Sequence, residues 1–168
     1  MVSPLITREE LLWAPLVCAC VHVFEEFVFP GGFKVWYQRY RGANVASVTT
    51  RFLILINALL LGGCWNAATA GHKSAYLPFW MGMAAVLATN GIWHLYAAWR
   101  SRRYSPGMVT GALLYVPLAV YGCTVLFEAG GFAVWQGVVG IAVGALYTPW
   151  AAAYHMMHRK TVLEQSVA

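Results

Sequence analysis

Apolar positions run in long unbroken blocks along this chain, and polar ones gather at the block ends. Five blocks, at about 10–30, 52–71, 76–99, 108–127 and 132–157, are long enough to cross a bilayer as helices. They do not alternate with a period of two, which predicts helices and not a membrane barrel. The first block stops at "FPGG", where Pro30 and two glycines break a helix. The following "GFKVWYQRYRGANVASVTTR" mixes aromatic and basic residues, the pattern of an interfacial segment. In the last block, Gly137, Gly140 and Gly144 permit close helix approach and would suit a homo-oligomer, and Pro149 predicts a kink. The expected fold is an all-α, polytopic membrane bundle of five helices, one domain spanning 1–168.

Composition sharpens this. The chain is 60% hydrophobic and only 10% charged, against about 25% charged in soluble domains. Its net charge of +5 could suggest nucleic acid, but the placement of the cations excludes that reading. Nine of eleven Lys and Arg lie between blocks one and two, after block three or after block five; only Arg8 and Lys73 lie opposite. By the positive-inside rule the N-terminus is outside and the C-terminus cytoplasmic. The expected location is a bacterial inner or plasma membrane, with the lipid bilayer as the principal partner. No cleavable signal peptide is expected, because the N-terminus lacks a basic leader. Cys18, Cys20, Cys64 and Cys123 form no CxxC pair and read as packing residues.

Against this apolar background the polar residues inside the blocks stand out. In "HVFEE", His22, Glu25 and Glu26 are spaced i, i+3, i+4 and share a helix side. Asn90 and His94 in "NGIWH" share another, as do His155 and His158 in "YHMMH". Counting back at about 1.5 Å per residue puts Glu25 about 8 Å, His22 about 12 Å, His94 about 9 Å, Asn90 about 15 Å, Thr110 about 5 Å and His155 about 6 Å inside the predicted cytoplasmic boundary. His158 falls at the rim. Four helices thus bring polar groups to one level. A charge at mid-membrane costs roughly 2.5–3.5 kcal/mol, so the two acids need either a proton or a cation. Carboxylates with imidazoles are ligands for zinc, iron or manganese. Asn90 and Thr110 equally suit interhelical hydrogen bonds, and His155 and His158 suit cations at a helix C-terminus.

"HVFEE" at 22–26, "NGIWH" at 90–94 and "YSPGMVT" at 104–110 resemble the three signatures of the HXXEE-domain proteins, H-x-x-E-E, N-x-x-x-H and Y-x-P-G-x-x-T. All three match in order. The resemblance implies an integral membrane protein and singles out His22, Glu25, Glu26, Asn90, His94, Tyr104, Pro106, Gly107 and Thr110. It supplies no reaction.

Three functions compete on these grounds. In the leading one, an integral-membrane enzyme binds one or two divalent ions, Zn or Fe, through His22, Glu25, Glu26, His94 and His155. Tyr104, Thr110 and His158 support the site, and the substrate is a hydrophobic small molecule, lipid-like or isoprenoid, that is hydrolysed or oxidised. In the second, a metal-free acid–base pair of Glu and His works with Asn90 as oxyanion donor, as a protease-like hydrolase or terpenoid cyclase. In the third, the acids and histidines relay protons or metal ions. The outer halves of the helices offer only Asn66, Thr69 and Gln136 for such a trail.

Overall fold

The computed structural model describes residues 6–41 and 49–165, with the side chains of 41, 152 and 154–165 outside the described set. Among the described residues all regular structure is helical. Helix α1 spans Arg8–Phe27, α2 Phe33–Arg41, α3 Thr50–Ala70 and α4 Leu77–Ser101. Helix α5 runs Met108–Ala129, with a π-helical turn at Gly111–Tyr115, and α6 runs Val134–Gln165. All five expected blocks are helices, with ends shifted by at most three residues except the last, which runs on to Gln165 and not to about 157. The interfacial stretch supplies the short α2.

The helix starts follow local chemistry. Thr7 and Glu10 form a capping box: Glu10 N–H donates to Thr7 Oγ1, and Thr7 N–H donates to Glu10 Oε2 at 2.7 Å. Thr49 caps α3 through the Phe52 N–H. Pro149 sits inside α6, which runs through it as one helix.

Helix α4 is the hub, touching α1, α3, α5 and α6. Two close approaches set its position. Its Gly82 faces Gly140 and Gly144 of α6, where a methyl group on any of the three would collide with the opposing backbone. The glycine face expected to permit close packing therefore meets a neighbour within the same chain. On the other side Gly91 meets Gly111 of α5, and a Cβ on Gly91 would sit only 2.8 Å from the Gly111 Cα. Without side chains between them, α4 and α5 cross nearly backbone to backbone. Trp80, Leu11, Leu12, Leu87, Tyr115 and Leu126 fill the buried core around this hub.

Two helices, α3 and α5, are long and apolar enough to cross a membrane by length and composition. Helices α1 and α4 have similar length but carry the Glu, His and Asn residues singled out above. Large apolar side chains face outward, among them Leu55, Leu59, Leu113, Val120, Val138 and Val143. This is more exposed apolar surface than a monomer in water usually tolerates.

Candidate functional site

The site grows from the way α5 begins. The chain leaves α4 at Arg102, in the left-handed conformation (φ 53°), and re-enters helix at Gly107 with φ 96°. A helix start leaves backbone N–H groups without partners, and no side chain of α5 caps them. Glu25 of α1 does so from across the bundle. Its Oε1 accepts from Gly107 N at 3.0 Å, Val109 N at 3.1 Å and the Tyr104 hydroxyl at 2.6 Å. Its Oε2 accepts from Thr110 N at 2.7 Å and the Thr110 hydroxyl at 2.6 Å. Five donors on two oxygens require the ionised carboxylate, which is acceptor-only. The positive end of the α5 dipole favours the same charge. Burial, and then the Glu25 carboxylate, push the Tyr104 phenol pKa up, so this loop residue remains a donor.

Thr110 carries the order one step further. Its single hydroxyl proton goes to Glu25 at 2.6 Å in preference to the Gly107 carbonyl at 3.4 Å. The oxygen must then accept from His22 Nδ1, 2.8 Å away. His22 therefore carries a proton on Nδ1, which leaves Nε2 as the nitrogen turned toward Glu26. His94 is held similarly, its Nδ1 3.1 Å from Ser105 Oγ.

Both Nε2 atoms converge on Glu26. Oε1 of Glu26 lies 3.0 Å from His94 Nε2 and 3.5 Å from His22 Nε2. The three ligand atoms all lie within 4.8 Å of one another, and all three residues are buried. Neither Nε2 has hydrogen-bond geometry to any partner. Gly107 closes the space above: a Cβ there would sit 2.7 Å from His22 Cε1 and 3.0 Å from His94 Cε1. Tyr115 stacks on His22 with centroids 4.4 Å apart, and Phe33 of α2 lies 5.6 Å from the His94 ring. Among the described residues, four buried side-chain atoms lack a hydrogen-bond partner: His22 Nε2, His94 Nε2, Asn90 Oδ1 and the Tyr115 hydroxyl. Two belong to this group and a third to the ring stacked on it; Asn90 lies one turn before His94. Buried polar atoms are rarely left so.

The donor set is one that could hold a metal ion. Ligands about 2.1 Å from one centre stand roughly 3–3.5 Å apart, which matches the two carboxylate–imidazole distances of 3.0 and 3.5 Å. Two imidazoles and a carboxylate suit zinc, iron or manganese.

The singled-out residues thus divide into two sets. His22, Glu26 and His94 meet. Glu25, Tyr104 and Thr110 form a hydrogen-bonded cluster joined to the first set through Thr110 and His22; Glu25, expected among the metal ligands, has both oxygens accepting from Tyr104 and the start of α5. Asn90 is half-buried nearby on α4. The backbones of 155 and 158 are helical, but the side chains of His155 and His158 lie outside the described residues. The remaining histidine, His72, is exposed at the opposite end beside Glu9. Ser105 and Tyr115 were not anticipated. Ser105 sits inside "YSPGMVT" and could have been read from it, whereas Tyr115 gives no sign in an apolar run.

The family match spans residues 13–122 and so contains all three motifs. The chain belongs to the HXXEE family, described as "Protein of unknown function with HXXEE motif". In HXXEE terms, the first glutamate caps α5 and the second faces the histidines. No curated protein and no solved structure matched the chain.

Proposed function

We propose that this protein is a five-helix integral-membrane enzyme that holds one divalent metal ion at His22, Glu26 and His94 and acts on a lipid-like or isoprenoid substrate. One observation carries the reading: two buried imidazole Nε2 atoms without hydrogen bonds face one carboxylate, in a cradle roofed by a glycine. The membrane setting is supported by the apolar exterior, and the bias of Lys and Arg favours a site facing the cytoplasm.

When bound, such an ion supplies a polarised water for hydrolysis or, if iron, a place for oxygen chemistry. The chain's own part is positioning. Glu25 and Thr110 set the His22 tautomer, Ser105 orients His94, and Gly107 leaves room above the ligands. Asn90 Oδ1 and the Tyr115 hydroxyl are buried nearby without hydrogen-bond partners. A trail for transport is not favoured, since Asn66 and Thr69 on α3 bond to carbonyls of their own helix.

The test is elemental analysis of detergent-purified protein. The wild type should carry about one ion per chain, as three ligands imply. Glu26→Gln and His94→Ala should lose it, and Glu10→Gln at the far end should not. Equal metal content in all four proteins would refute the metal reading. A metal-free Glu26–His94 acid–base pair is the second reading, favoured by their 3.0 Å separation. Activity surviving exhaustive chelation would select it.

A further inference from the structure

Beside the site lies a cavity of about 1210 Å³, open to the exterior, with Arg39, Arg100, Arg103, Trp36, Tyr104 and Pro106 in its walls. The three arginines come from α2, the end of α4 and the loop that follows. Arg100 suits the α4 C-terminus by dipole alone, but that does not account for Arg39 or Arg103. Among the described residues none of the three pairs with a carboxylate. The chain has six acids in all, and the two nearby, Glu25 and Glu26, are buried in the arrangement above. Three like charges around one cavity repel one another unless an anion joins them.

We infer that this cleft binds the phosphate head of a single-chain anionic amphiphile, and that this amphiphile is the substrate of the adjoining Glu26–histidine site; the second clause rests on the function proposed above. Guanidinium groups match phosphate oxygens with paired N–H donors. Aromatic surface is provided by Trp36, stacked on Tyr40 with centroids 5.1 Å apart and planes 9° from parallel. The cleft is also next to the chemistry. Tyr104 and Pro106 line it, Tyr104 donates to Glu25, and the next residue, Gly107, roofs both histidines. A phosphate at the arginines thus leaves its chain one loop away from the ligands.

The test uses the full chain in nanodiscs of zwitterionic phosphatidylcholine, with tryptophan fluorescence as the signal and dodecyl phosphate as the probe. Dodecyl phosphate should bind at least about tenfold more tightly than dodecanol, and inorganic phosphate should compete. The Arg39→Gln/Arg103→Gln double variant should lose about tenfold in affinity, and Arg39→Lys/Arg103→Lys should recover part of it. Either variant should keep the wild-type metal content, which also reports an intact fold. Unchanged affinity in the Gln variant, or dodecanol binding as tightly as the phosphate, would overturn the cleft assignment. So would full competition by phosphatidylglycerol placed in the nanodisc, which would make the cleft a general contact for anionic lipid. Arginine-dependent phosphate binding by a protein that carries no metal would leave the cleft standing and remove the metal reading alone.

Discussion

The two ends of the α1–α4–α5 contact are built on opposite terms. At one end Trp80 is fully buried between Leu11 and Gly122, and its indole N–H donates to the Leu12 carbonyl at 3.1 Å. Among the described residues, no buried side-chain nitrogen or oxygen there lacks a hydrogen bond. At the other end the same three helices enclose His22, Glu26 and His94, where both Nε2 atoms face the Glu26 carboxylate without a completed hydrogen bond. A chain selected for stability alone would fill that space with apolar side chains or complete the hydrogen bonds. The apolar end holds the helices together, and the polar end draws on that stability to keep two imidazoles and a carboxylate buried without completed hydrogen bonds.

That contrast can be broken, beginning with the largest effect. Trp80→Ala should cost about 3–5 kcal/mol, read as a fall in the thermal unfolding midpoint in detergent. An unchanged midpoint would mean that the apolar end does not dominate stability. Glu25→Ala should come next, at about 3 kcal/mol, because it strands buried donors at the start of α5. Glu26→Gln should differ in kind, with metal lost and the metal-free protein about as stable as metal-free wild type. If Glu25→Ala and Glu26→Gln behave alike in unfolding and in metal analysis, the division of labour between the two acids is wrong.

Gly107→Ala places a methyl against both histidines and strains a φ of 96°. It should cost about 1–2 kcal/mol and lower metal occupancy, measured on the same preparations. The smallest effect belongs to Tyr115→Phe. Removing an unpaired hydroxyl should leave stability within about 1 kcal/mol and raise it if anything. A large loss would reveal a hydrogen bond that stabilises the fold.

Much of this was legible beforehand in particular residues. The end of α1 followed Pro30 and the paired glycines, which act on their immediate neighbours, whereas the Thr7 and Thr49 caps emerged from the structure. The shared level of His22, Glu25, Glu26, His94 and Thr110 followed from counting along helices, because rise per residue is the same wherever a helix sits. Tyr115 was not legible, since a π-turn and a ring stack leave no mark in an apolar stretch. The individual roles of the two acids were not legible either.

The sequence by itself determined that the chain is helical, with acids and imidazoles near one end of α1 and α4, since helical rise, periodicity and end signals are local properties. The tertiary structure alone decided which carboxylate does what. Neighbours on a helix differ by about 100° in direction, enough to send Glu25 to the N–H groups of residues 107–110 and Glu26 to His94. Those partners lie some 70 to 85 positions away along the chain, brought near by the bare backbone crossing of Gly91 and Gly111.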